Sequence, residues 1–257
     1  MSSVLFELQE AVAVITLNRP DKLNSFNREM ALRFQEILEE CKKPGVRCVY
    51  ITGAGKGFSA GQDLAEVVDP NGPGMKVILS EHYNPIVTRI RKLEKPVIAA
   101  VNGVAAGAGA NIALCCDIVV AAQSASFIQA FSKIGLIPDS GGTFTLPRLI
   151  GWQKASALMM LGDKVPAAEA ERIGMIYKVF ADENFKEESM AIATTLSKMP
   201  TKGLAYTKQI LKISFNNSWE DQLQDEDVFQ QKAAQTADYK EGVQAFLEKR
   251  VPNFKGE

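Results

Sequence analysis

Pro96-Val-Ile-Ala-Ala-Val-Asn-Gly-Val-Ala-Ala-Gly-Ala-Gly-Ala-Asn-Ile-Ala-Leu-Cys-Cys-Asp117 is the stretch around which the 257-residue chain is organised. It opens with β-branched Val97, Ile98 and Val101, the pattern of a buried strand, then passes into small residues. Gly103, Gly107 and Gly109, set among alanines, leave the backbone bare, so a ligand can approach its N–H groups closely. From Ala108 the pattern predicts a helix whose first N–H groups and positive dipole end face the glycine turn. Strand, turn and helix N-terminus together suit an oxygen that carries or develops negative charge. A membrane span is disfavoured by Asn102, Asn111, the glycines and the missing aromatic belt. No Gly-x-x-x-x-Gly-Lys-Ser/Thr phosphate loop occurs, and a purely structural glycine turn remains the alternative.

The rest of the chain narrows the classes. Composition is that of an ordinary globular protein, 46% hydrophobic and 23% charged. With a net charge of −1 and no basic run, neither nucleic acid nor an acidic membrane is an expected partner. The start, Met-Ser-Ser-Val-Leu-Phe-Glu, lacks the basic and apolar regions of a signal peptide, and a reducing, cytoplasmic setting is expected. Cys41, Cys48, Cys115 and Cys116 have no metal-ligand spacing, so no metal is expected. His82 is the single histidine, which removes mechanisms built on several.

Along the chain, Val4–Leu8 and Val12–Leu17 predict a hairpin, and Asn18-Arg-Pro20 opens a polar loop through Ser25. Asn27 suits the cap of a helix with Met30, Phe34, Leu38 and Cys41 on one face. A strand is expected over 46–52, a Gly/Ala-rich loop over 53–64, a mobile Pro/Gly loop over 65–75 and a helix over 77–93. Strands are expected over 118–121 and 125–131. After them come a helix from Thr143 and a mostly helical remainder over 153–161, 167–173, 183–198, 201–214, 218–235 and 238–248. The composition shifts near Met199-Pro200-Thr201, so the chain divides into an α/β core, 1–199, and a helical part, 200–257.

Two places invite chemistry. Gly57-Phe-Ser-Ala-Gly61 matches the Gly-x-Ser-x-Gly nucleophile elbow, but the only histidine follows Ser59 too soon for the expected acid-then-histidine order. Asp139 lies between the apolar Ile134–Pro138 run and Ser140-Gly-Gly, just before a helix. It is either an N-cap or a partly desolvated carboxylate whose raised pKa suits removal of a carbon-bound proton.

Leu17-Asn-Arg-Pro20, Phe58-Ser-Ala-Gly-Gln-Asp-Leu64, Lys95-Pro-Val-Ile-Ala-Ala-Val-Asn-Gly103 and Gly135-Leu-Ile-Pro-Asp-Ser-Gly-Gly-Thr143 together resemble the crotonase (enoyl-CoA hydratase/isomerase) superfamily. The resemblance runs from residue 4 to the end, including Ala237–Arg250. It implies an α/β crotonase (ClpP-like) fold, a spiral of ββα repeats, with the active site in 1–199 and a trimerisation region in 200–257. It implies an acyl-CoA thioester as substrate, a homotrimer or dimer of trimers, and no cofactor beyond the coenzyme A of the substrate. By motif, the backbone N–H groups of Gln62 and Ala108 would form the oxyanion hole. Lys22, Leu23, Ala60, Gly61, Asp63, Leu64 and Gly107 would line the CoA and thioester site, and Tyr83, Asn111, Phe131 and Pro138 the acyl pocket.

Where hydratases of this family carry two glutamates, this chain has Asn111 and Phe131. The remaining carboxylate, Asp139, matches the acid/base position of the family's isomerases. The expectation is therefore an acyl-CoA isomerase, acting on an epoxide-bearing ring or moving a cis-3 double bond to trans-2. A hydratase-like enzyme and a non-catalytic CoA-binding protein of the same fold are the alternatives. Aryl-CoA dehalogenation is more distant, because 127–139 lacks the His and Trp of that pocket.

Overall fold

The computed structural model describes residues 2–257. Strands β1 (Val4–Gln9) and β2 (Val12–Leu17) pair antiparallel in the expected hairpin, Val4 opposite Leu17. Helix α1 (Arg28–Glu40) is capped by Asn27, whose side chain accepts from the Met30 N–H, and buries Met30, Phe34, Ile37 and Leu38. Burying a side chain of that size contributes about 1.5–3 kcal/mol.

Three turns of a spiral then follow, each laying one strand in a large sheet and the next in a small one. The first has β3 (Cys48–Gly53) and β4 (Gly57–Ser59), followed by α2 (Leu64–Val68), α3 (Met75–Val77), a π-helical segment Ile78–Tyr83 and α4 (Asn84–Lys92). The second has β5 (Val97–Val101), β6 (Val104–Ala106) and α5 (Ala108–Leu114). The third has β7 (Ile118–Ala122), β8 (Ser126–Ile128), a 3-10 turn Ala130–Ile134, α6 (Gly142–Ile150) and α7 (Trp152–Leu161). The chain continues through β9 (Lys164–Pro166), α8 (Ala167–Arg172), β10 (Lys178–Phe180) and α9 (Phe185–Ser197). It ends in α10 (Thr201–Ile213), α11 (Trp219–Ala234) and α12 (Ala237–Glu248).

The large sheet has the order β1-β2-β3-β5-β7-β10 and is parallel from β2 onward. The small sheet has the order β4-β6-β8-β9, with β4, β6 and β8 parallel. This is the expected ββα spiral. Its parallel strands are covered on both faces, which is why β5 is buried at every position. Among the described residues no helix is long and apolar enough to cross a membrane.

Three local expectations need correction. The segment 65–75 is not all loop, because α2 occupies 64–68 after an Asp63 cap. The strand expected over 125–131 ends at Ile128 and gives way to the 3-10 turn. The helical path over 77–93 widens into a π turn at Ile78–Tyr83. Pro85 has no N–H for the Glu81 carbonyl and would crowd it in a regular helix. That carbonyl instead accepts from Gln35 Nε2 at 2.7 Å, and the Asn84 N–H reaches back to Leu79. The widened turn buries the Tyr83 ring completely.

Candidate active site

The neighbouring parallel strands β4 and β6 each run out into a glycine with left-handed backbone. Gly61 has φ +88° and Gly107 φ +53°. These values are the ones at which a Cβ is costly. They turn the next residues, Gln62 and Ala108, out of the sheet side by side. A Cβ on Gly61 would lie 2.9 Å from the Ala106 carbonyl oxygen and 3.2 Å from the Ala108 nitrogen. Ala108 opens α5, so its N–H has no carbonyl one turn back to bond. On the other loop, Phe26 receives the flanking groups: its N–H donates to Gly61 O at 2.7 Å, and its carbonyl accepts from Asp63 N at 2.8 Å. The Gln62 N–H is thereby turned to the opposite side of this short bridge.

The sequence around Ser59 serves this turn rather than a nucleophile. Ser59 is fully buried, donates to the Asn24 carbonyl at 2.8 Å and accepts from Gly61 N at 3.2 Å. His82 lies elsewhere, its Nε2 3.3 Å from Arg28 Nη1. The elbow motif is a sequence coincidence.

Lys22 and Leu23 sit on an exposed turn fastened to the same loop. The Leu23 carbonyl accepts from Ala60 N at 2.9 Å. Buried Asn24 bridges the Ala54 and Gly57 carbonyls at 2.9 and 2.7 Å. Arg19 donates to the Ser25 carbonyl at 2.6 Å and pairs with Asp63 at 2.8 Å. Burial opposes ionisation of Asp63, but bonds from Arg19 and the Ala65 N–H and the charge of Lys22 hold its carboxyl below the usual range. Leu64 follows as the exposed first residue of α2.

Asp139 is tied to α5 and lies close enough to Tyr83 for its charge to act there. Asn111, one turn into α5 from Ala108, donates from Nδ2 to the Asp139 carbonyl at 2.9 Å. The Phe131 ring packs against Gly107, 3.7 Å from where a Cβ would stand. The buried Tyr83 phenol bonds Gln62 Oε1 at 2.9 Å and is raised in pKa by burial first and by the Asp139 charge second. Asp139 is not a helix cap, since Gly141 occupies that position at α6. Its Oδ1 accepts from Ser140 Oγ at 2.9 Å. Burial raises its pKa, partly offset by that hydroxyl. Pro138 precedes it, half-buried. Asn111, expected at the acyl pocket, is buried and spends both ends of its amide inside the protein, its Oδ1 accepting from Gln129 Nε2 at 2.8 Å.

Sequence reasoning missed Gln129, Ser140 and the tethers Arg19 and Asn24. Arg19 and Asn24 stood in a quoted motif and a polar loop, but Asp63, which pairs with Arg19, and the Ala54 and Gly57 carbonyls held by Asn24 lie 44, 30 and 33 residues on, in and around β4.

Residues 7–257 match the enoyl-CoA hydratase/isomerase family. The chain belongs to that family. As an enoyl-CoA hydratase/isomerase it is 48% identical to the 1,2-epoxyphenylacetyl-CoA isomerase of Escherichia coli K12, over 100% of this chain and 99% of that protein. It is 41% identical to a protein of Rhodobacter capsulatus named "Probable enoyl-CoA hydratase", over 99% and 98% of the two chains. The crystal structure of an enoyl-CoA hydratase from Bacillus anthracis superposes with a TM-score of 0.91 at 32% identity, covering 99% of this chain and 100% of that one. Family members thus carry both hydratase and isomerase names, and the residues facing the cleft must separate the two.

Proposed function

We propose that this member of the enoyl-CoA hydratase/isomerase family is an acyl-CoA isomerase, and that Asp139 is its acid/base. The observation that carries the reading is the Asp139 carboxyl, raised in pKa by burial and tied through its main chain to the helix that opens at Ala108, with an amide (Asn111) and a phenyl ring (Phe131) at the positions where the resemblance puts the glutamates of hydratases. In this reading the Gln62 and Ala108 N–H groups hold the thioester oxygen as it gains charge. Asp139 removes a proton from the carbon beside the thioester carbonyl, and returning it two carbons along shifts the double bond from cis-3 to trans-2. Water addition would need both a base and an acid around one water, and the nearby Glu66 carboxylate is engaged by Arg28 N and Gln62 Nε2, each at 2.8 Å. The 48% identity to an epoxyphenylacetyl-CoA isomerase supports an epoxide-bearing ring as a natural acyl group. Coenzyme A enters as part of the substrate, and no separate cofactor takes part.

The deciding experiment feeds the protein a cis-3-enoyl-CoA and, separately, a trans-2-enoyl-CoA. Growth of conjugated-enoyl absorbance in the first with no loss in the second is the expected result. Hydration at a rate comparable to isomerisation would overturn the assignment.

The active unit in this proposal is a trimer or dimer of trimers built through the helical 200–257 region. Val243, Phe246 and Leu247 are 43%, 84% and 71% exposed on α12 and call for a covering partner. Light scattering at micromolar concentration should give at least three times the 28.0 kDa chain mass, and a monomer would refute it.

A further inference from the structure

The turn that carries Asp139 is an uncomfortable one. Ser140, a buried non-glycine residue, has φ +52°, and Gly141 follows at φ +75°. Two successive left-handed residues, the first with a Cβ, cost about 1–3 kcal/mol at the strained position and persist only where the surroundings over-determine them. The Asp139 carbonyl receives one bond from Gly142 N at 2.8 Å, within the turn itself. The other comes from outside, from Asn111 Nδ2 at 2.9 Å.

Asn111 is itself held. It lies in α5, all seven residues of which are buried. Its Oδ1 accepts from Gln129 Nε2, which fixes which end of the amide is the donor. The first residue of α6 is seated on the same amide, since a Cβ on Gly142 would come 2.3 Å from Asn111 Nδ2. Gln129 is 4% exposed, and its Oε1 has no partner among the described residues. A buried amide left half-satisfied is a cost that packing alone does not explain.

We propose that Asn111 and Gln129 are a positioning pair for the acid/base: Gln129 orients the Asn111 amide, which grips the Asp139 main chain and sets the carboxylate relative to the Gln62 and Ala108 N–H groups. The pair ties Asp139 to the helix that begins at Ala108, so acid/base and oxyanion donor share one rigid frame. Neither residue is catalytic, because each acts through Asp139. The inference rests on the reading of Asp139 as acid/base, and geometry is where it adds to that reading. Misplacement of a reacting group by about 1 Å costs up to about 100-fold.

The test uses Asn111→Asp, which keeps the shape but replaces the donor with an acceptor facing the Asp139 carbonyl. Gln129→Met, which removes only the bond that orients Asn111, and Asp139→Asn complete the set. Isomerisation of a cis-3-enoyl-CoA by the full chain is the readout, with circular dichroism as a check on folding. Asn111→Asp should lower kcat about 10–100-fold with KM held within about twofold. Gln129→Met should move kcat the same way by less, and the double variant should lose no more than Asn111→Asp alone. If Asn111→Asp does not fold, the kcat and KM of Gln129→Met decide in the same terms. A parental kcat in the folded variant, or a raised KM at parental kcat, beside an inactive Asp139→Asn overturns the positioning role and leaves the isomerase reading intact. An active Asp139→Asn overturns both.

Discussion

The phenol of Tyr83 donates to the side-chain carbonyl of Gln62 at 2.9 Å, and the other end of the same amide donates to Glu66 at 2.8 Å. The residue whose backbone N–H is the proposed oxyanion donor is thus clamped from the π turn on one side and from α2 on the other. Removing the phenol oxygen loosens one clamp and leaves the N–H in place. Tyr83→Phe should lose about 0.5–1.5 kcal/mol of stability in chemical denaturation. Its turnover should fall by about threefold, far less than on loss of an oxyanion donor, which costs about 100-fold or more. A collapse in kcat would instead give the phenol a direct part in the reaction.

Gly61→Ala tests the pairing of the two turns. The new Cβ would stand 2.9 Å from Ala106 O and 3.2 Å from Ala108 N, on a backbone with φ +88°. Both contacts are main-chain atoms of the neighbouring strand end, which cannot swing aside as a side chain would. The variant should fold with a lower melting temperature and lose about 100-fold or more in kcat, because the two N–H groups are driven apart. Near-parental turnover would show that these N–H groups do not act together.

Asp139→Asn keeps the volume of the carboxyl and removes its proton affinity. Turnover should fall toward the upper end of the range of about 100–10,000-fold for loss of a general base, with binding of an unreactive acyl-CoA nearly unchanged. Because burial raises the folded-state pKa, the acid limb of the parental kcat profile should lie above about 4, the ordinary Asp value. The same shift has a stability sign. A folded pKa above the unfolded one means the native state binds more protons, so stability is greatest below the unfolded value and declines as pH rises through the folded value. At neutral pH the carboxylate is therefore a burden, and Asp139→Asn should melt higher than the parent. A lower melting point at neutral pH would contradict this account.

Arg19→Ala should act on the CoA end. Arg19 joins the turn carrying Lys22 and Leu23 to Asp63, and both side chains of the pair are less than one-fifth exposed. Its loss leaves Asp63 half-buried without its partner and frees the turn. An increase of about tenfold in KM for acyl-CoA, with a smaller change in kcat, is the expected split. A loss confined to kcat would mean that the tether serves the chemistry rather than binding.

Elements with a long, regular pattern are legible in the sequence. The hairpin at 4–17, α1 with its Asn27 cap, β5 and the start of α5 at Ala108 all follow from periodicity, caps and glycines. Of the small sheet only β8 is legible, inside the strand expected over 125–131; β4, β6 and β9 have only three residues each, too few for alternation to register. The site divides in the same way. Motif order led to Asp139, Gln62 and Ala108, whereas the hold of Asn111 on Asp139 goes to a main-chain carbonyl, which leaves no residue-type signature at position 139. The burial of Tyr83 depends on a π turn created where Pro85 withholds one N–H, an outcome that helical periodicity conceals.

Helix α5 is buried along its whole length, while α2 buries nothing, and Ile134, Leu136 and Ile137, just before Asp139, are 56%, 41% and 81% exposed. The feature that would grip the invariant end of a thioester is therefore embedded where almost any substitution disturbs packing. The exposed segments at α2 and just before Asp139 are where side chains can be exchanged at small cost. Such a scaffold can change its diet without rebuilding its machinery, and a new acyl specificity could be selected from a library confined to 64–77 and 132–138.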